Sequence, residues 1–224
     1  MRLFSRRSFV LVAAALLTGS ATSGAQFITR SWLPWRTIQT PHFLVHYPAE
    51  LEAWAQAIAS RIESADSLVS GIVGSTPRKR VQIVVDDPYG ISNGSSWPFL
   101  DAPAMIFWAA PPDPRQDVGT YVSWGDMLSV HEFAHLAHLT QPSRNPGVRL
   151  LWKLMPVELG PIPLKLPRWV IEGYATYVEG GVTGSGRPNG NWRPTILRQW
   201  AIEGRLPPYA QLNNAGGMYG GEFP

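Results

Sequence analysis

His131-Glu132-Phe133-Ala134-His135 sits within Trp124–Leu139, a stretch apolar almost all round through Met127, Leu128, Val130, Phe133, Ala134, Leu136 and Leu139. A helix of that character is buried in its domain. Two histidines four positions apart on a helix lie one turn above each other, on one face. Their imidazoles can converge on one metal ion, and the intervening glutamate can reach a water bound to it. A pair of hydrogen-bonded core histidines is the other reading of the pattern. Burying two imidazoles and a carboxylate on an apolar helix is costly unless something pairs with them, and a divalent cation does so directly.

On the N-terminal side, Thr40 to Tyr47 sets Phe43, Val45 and Tyr47 against His42, Leu44 and His46, which predicts a strand. His42 and His46 fall on one face of it and read as structural or solvated. Leu51, Trp54, Ile58, Ile62, Ala65 and Val69 recur at helical spacing over 49–70, with Gly71 and Gly74 ending the helix. Arg80 to Val85 is β-branched-rich and predicts a second strand. A loop bearing Gly, Asn and Ser follows, and then a third strand over Ala104 to Ala109.

On the C-terminal side, residues 141–168 form a proline-punctuated connection containing Leu150-Leu151-Trp152-Lys153-Leu154-Met155. It is too polar and too broken to span a membrane. A wall over the site, or a membrane-touching surface through 150–166, are both open. A helix is expected from about Pro167 through Val178, and another from Pro194 to Gly204. There is no internal repeat. The expected fold class is α+β: a small N-terminal mixed sheet, then the helix carrying the histidines and a mainly helical part.

Arg168-Trp169-Val170-Ile171-Glu172-Gly173-Tyr174-Ala175-Thr176-Tyr177-Val178-Glu179 presents a glutamate inside the first of those later helices. A catalytic zinc typically takes three protein ligands and keeps one open position, and His, His, Glu is an established set. The Trp-x-x-Glu-Gly-x-Ala-x-Tyr pattern after His-Glu-x-x-His resembles the gluzincin metallopeptidases, especially the aminopeptidase N type and the bacterial peptidase MA-like domains. The resemblance implies a zincin-like fold, a zinc cofactor, and Glu172 as the third ligand beside His131 and His135. It covers about residues 40–205, with two specific motif blocks and only pattern elsewhere. Glu172 lies 172 − 135 = 37 positions after His135, longer than the aminopeptidase spacing, so the 141–168 segment shapes the cleft entrance. The aminopeptidase signature Gly-x-Met-Glu-Asn is missing, and N-terminal trimming is not carried over.

The roles that follow are those of a peptide hydrolase. Zinc lowers the pKa of its water towards ~7 and polarises the substrate carbonyl. Glu132 takes the proton of that water and passes it to the leaving amine. Gluzincins usually add a Tyr or His donor to the oxyanion, for which Tyr174, Tyr177 and Tyr219 are candidates. Ala104–Ala109 resembles the superfamily's edge strand, which binds extended substrate by β-addition. His138, seven residues after His131, could support a ligand, line the cleft, or be a satisfied structural group. Glu179, two turns beyond Glu172, could orient a ligand histidine or be an exposed helix-end glutamate.

The N-terminus carries Arg2, Arg6 and Arg7, an apolar run from Phe9 to Leu17, and small residues ending in Ser23-Gly24-Ala25. That is a signal peptide with cleavage near Ala25; an uncleaved anchor is the competing reading. Ser5-Arg6-Arg7-Ser8-Phe9-Val10-Leu11 resembles the twin-arginine export signal, departing in its last two residues. Removing 1–25 leaves 19 − 3 = 16 basic against 16 acidic residues, so nothing argues for nucleic acid as a partner. The absence of cysteine excludes disulfides, thiol catalysis and cysteine-bound zinc. The expected organisation is a signal peptide (1–25), a linker (26–39), a gluzincin-like metallopeptidase domain (40–215) and the truncated start of a further segment (216–224). The expected function is a zinc metallopeptidase acting on peptides or proteins in the periplasm or outside the cell. A non-catalytic zinc-bound scaffold within a larger envelope protein is the alternative, and a metal-free helical domain the third.

Overall fold

A computed structural model of the chain describes residues 30–88, 90–98, 102–113, 121–154, 160–209 and 212. The signal peptide expected at 1–25, Tyr219 and the segment expected at 216–224 lie outside these residues. The chain divides into two units, Met1–Trp32 and Leu33–Pro224, and every element below belongs to the second.

Strand β1 (Trp35–Gln39) pairs antiparallel with β2 (Phe43–Pro48), setting Trp35 opposite Pro48 and Gln39 opposite Leu44. The linker expected over 26–39 therefore ends before Trp35. Only Trp35 and Ile38 of β1 are partly covered, so this edge strand lacks the apolar alternation that marks β2. In β2 the alternation is realised, with Phe43, Val45 and Tyr47 all buried.

Helix α1 (Glu52–Val73) turns Ala55, Ile58, Ile62, Ala65 and Val69 into the core. It runs through Gly71 and ends at Gly74, the second of the two glycines expected to stop it, whose N–H bonds back to Ser70 O. Strand β3 (Val81–Asp86) then pairs parallel with β2, with α1 as the crossover that a parallel pair requires. Two further strands complete the sheet, β4 (Gly94–Trp97) and β5 (Ala104–Trp108), in the order β1-β2-β3-β5-β4.

This order corrects the expected edge strand. Ala104–Trp108 lies inside the sheet, parallel to β3 and antiparallel to β4. The edge is β4, a stretch read from sequence as a loop. Gly94-Ser95-Ser96-Trp97 has little strand propensity of its own, and pairing with β5 makes it a strand.

Helix α2 (Trp124–Leu139) starts at Ser123, whose side chain accepts from Asp126 N, and every residue from Met127 to His138 is buried. It packs against α1 and β4 and carries Phe133 edge-on to Phe43, centroids 5.6 Å apart. With Phe133 so enclosed, truncating it to alanine costs about 3–5 kcal/mol.

The 141–168 connection contains two short helices, α3 (Pro146–Lys153) and α4 (Ile162–Lys165). Helix α5 (Arg168–Thr183) packs on α2 and extends past the expected end at Val178 to a cap at Gly184. Helix α6 (Trp192–Ile202) begins two residues before Pro194. Among the described residues only helices and 3-10 turns follow β5 as regular elements, which makes the chain α+β with a five-stranded mixed sheet. No helix among them is long and apolar enough to cross a membrane.

Candidate metal centre

The packing of α2 against α5 brings three distant side chains to one point. His131 and His135 project from one face of α2, ring centroids 4.9 Å apart and planes at 84°. Glu172, one turn into α5, places Oε2 3.3 Å from His135 Nε2 and 3.9 Å from His131 Nε2. All three residues offer ligand atoms within 4.8 Å of one another. Ligands about 2.05 Å from a tetrahedral ion stand roughly 3.3 Å apart, so the group is already close to coordination spacing. Two imidazole nitrogens and a carboxylate suit a divalent transition ion, zinc and iron(II) among them. The histidine side chains are 9% exposed and Glu172 is 41% exposed, which leaves one side of the group open to solvent.

Without a cation the same atoms hold a proton. Burial alone lowers the pKa of His131, but hydrogen bonds to Glu172 and Glu179, with the charge of Glu132 nearby, outweigh it and raise the value to about 9. Burial likewise opposes ionisation of Glu172, yet its bonds to His131 and His135 hold its pKa well below the usual carboxylate range. A metal ion entering the site must therefore displace a proton held by His131.

Glu179 is the residue behind that histidine. Its side chain is 0% exposed and its Oε2 lies 2.8 Å from His131 Nδ1. A carboxylate can only accept, so Nδ1 carries the hydrogen and the neutral ring offers Nε2 towards Glu172 and His135. Arg187 N donates to Oε1 at 3.3 Å, and Arg187 Nη1 stands 3.5 Å from Oε2. Gly186 permits this seat. It adopts φ 78°, and a Cβ there would lie 1.9 Å from Glu179 Oε1. The reading of Glu179 as an exposed helix end is thus corrected: α5 continues beyond it and buries it against α2.

Glu132 lies against the edge strand. The hydroxyl proton of Ser96 is shared between Glu132 Oε2 and Glu132 O, each 2.7 Å from Ser96 Oγ. Two residues earlier on the same face of β4, a Cβ at Gly94 would stand 2.6 Å from Glu132 Oε1 and 2.7 Å from Leu128 Cδ2. Gly94 and Ser96 together seat this carboxylate. Sequence reasoning missed both, because they fall in the stretch read as a loop and nothing local marks them.

The remaining expected residues stand apart from the group. The His138 ring packs against Tyr174 at a tilt of 42°, centroids 4.3 Å apart, and its buried Nδ1 has no hydrogen-bond partner among the described residues. Burial, and then the charge of His135, lower its pKa. Tyr174 is half-buried, and burial with the neighbouring Tyr177 raises its pKa. Tyr177 faces solvent.

A second cluster joins His42, Glu63 and Asp66. Glu63 Oε2 lies 2.7 Å from His42 Nδ1, while Oε1 accepts from Thr40 Oγ1 and His42 N. Asp66 Oδ1 accepts from Ser70 and Thr76. The bond to Glu63 raises the pKa of His42. These bonds pin the start of β2 to α1. His46 is held by Thr37 Oγ1 and Gln82 Oε1, each at 2.9 Å.

Comparison with protein-family models found no match, and comparison with curated proteins found none.

Proposed function

We propose that the chain is a zinc-dependent metallopeptidase of the gluzincin type, with a zincin-like fold, acting on peptides or proteins outside the cytoplasm. The observation that carries this reading is the convergence of His131, His135 and Glu172 within 4.8 Å, from two helices whose motifs lie 37 residues apart (172 − 135). A zinc ion bound there supplies Lewis acidity and a water of lowered pKa. The rest falls to the protein. Glu179 holds His131 in the ligating tautomer, and the open side at Glu172 admits a carbonyl. Glu132 accepts a proton from the attacking water and delivers it to the leaving nitrogen. Among the described residues β4 is the outer strand of the sheet and runs beside Glu132, and an extended substrate adding to that edge passes the base. The arginine-bearing signal peptide supports export to the periplasm or beyond.

The test is metal content beside hydrolysis of a peptide library, wild type against Glu132→Gln. One zinc per chain in both, with cleavage lost in the variant, supports the peptidase. Full zinc with no cleavage by the wild type favours the non-catalytic zinc scaffold. Absence of stoichiometric metal in both removes the site.

A further inference from the structure

Helix α3 buries none of its residues, although half of them and the cap that follows are apolar. At 100° per residue, Val148, Leu150, Leu151, Trp152 and Leu154 fall on one side of it, and Arg149 and Lys153 fall one turn apart on the other. Leu154 is 74% exposed. Ten residues on, α4 repeats the pairing with Leu164, 75% exposed, beside the exposed Lys165. Leucines held in water cost solvation free energy that a covering surface recovers.

Charge identifies what covers them. Residues 141–168 contain five basic side chains (Arg144, Arg149, Lys153, Lys165, Arg168) and one acidic (Glu158), a net of 5 − 1 = +4 within a chain whose total is +3. A leucine-rich face flanked by arginine and lysine on one short helix is the pattern of a segment lying in a bilayer interface, apolar side among the acyl chains and cations at anionic headgroups. We propose that α3 and α4 are a membrane-docking surface that seats this domain on a bilayer carrying anionic lipid. The segment joins α2 to α5, the two helices that carry the candidate metal ligands. The inference stands apart from the peptidase reading, since it uses none of the metal-centre residues.

The chain contains no cysteine, so a single introduced thiol reports on one place. In the full chain, Leu154→Cys carries an environment-sensitive fluorophore, with Ala57→Cys on the exposed face of α1 as the control. Added vesicles are either phosphatidylglycerol-rich or purely phosphatidylcholine. The expected result is a blue shift at 154, quenched by lipid-borne quenchers, on the anionic vesicles only, with no change at 57. Adding Arg149→Gln and Lys153→Gln should weaken the partition read at 154 by roughly 30-fold, at about 1 kcal/mol per basic residue near the surface. His135→Ala should leave it unchanged. Three outcomes overturn the proposal: a label at 154 as wet as that at 57 on anionic vesicles, equal insertion into both lipids, or a label already shielded without lipid. The last would mean that another part of the chain or a second copy covers the face.

Discussion

Glu179→Gln isolates the support of the metal ligands from the ligands themselves. The carboxylate is 0% exposed, 2.8 Å from His131 Nδ1, and held on its other side by Arg187 and the Gly186 turn. Glutamine keeps the volume but accepts the Nδ1–H bond without charge. Loss of such a support typically weakens metal binding 10–100-fold, about 1.4–2.7 kcal/mol. A second consequence works the other way. Glu179 is one of the groups holding the pKa of His131 near 9, so removing its charge eases the proton competition that zinc faces at neutral pH. The loss should therefore be partly masked at about pH 7 and full at about pH 9.5, above the wild-type pKa. Competition titration of zinc against a chelating indicator at both pH values measures this, with thermal melts to establish that the variant folds. Glu179→Ala is less informative, since it strips a partner from buried charges at about 3–5 kcal/mol of stability. Affinity within twofold of wild type at both pH values, in a folded variant, would refute the role given to Glu179.

Gly186→Ala should lower both stability and zinc affinity, because its Cβ would need the place of Glu179 Oε1 and its φ of 78° disfavours alanine; a cost of about 2–4 kcal/mol is expected from overpacking and strain together, read by chemical denaturation. Ser96→Ala should leave zinc content unchanged and reduce kcat about tenfold by freeing the Glu132 carboxylate, read by metal analysis beside steady-state kinetics. In the metal-free protein, His131 has a folded pKa of about 9 against 6.5 unfolded, so its stabilising effect is complete below about pH 6.5 and is lost as pH rises through 9. Its partner Glu172, lowered from 4.5, stabilises above that value and loses its effect on acidification. The pair counts once, at about 3 kcal/mol: melting of the metal-free chain should be highest between about pH 4.5 and 6.5 and fall towards 9, and zinc should flatten that alkaline fall.

The part of the site legible in sequence is the part written locally. His131 and His135 are one turn apart on one helix, so spacing alone proposes them, and Glu172 stands in a short motif whose resemblance to the gluzincins proposes it. The strand alternation of Phe43, Val45 and Tyr47 was legible for the same reason: one face is buried throughout. Glu179 was half legible. Its two-turn offset from Glu172 put it on the right face, but its burial depends on where α5 ends, a boundary set by Gly184 and by packing on α2. Gly94 and Ser96 were not legible, because β4 exists through its pairing with β5 and meets Glu132 from 36 positions away. Strand β1 escaped because an edge strand with mostly exposed residues carries no period.

The central claim is that His131, His135 and Glu172 bind one divalent ion together. Native mass spectrometry of the zinc-loaded chain, beside His135→Ala and Glu172→Ala, tests it most directly. The account predicts one tightly held zinc per wild-type chain, retained through dialysis, and its loss in both variants while their folds persist. Wild-type chain without stoichiometric zinc, or variants that keep it, would contradict the assignment.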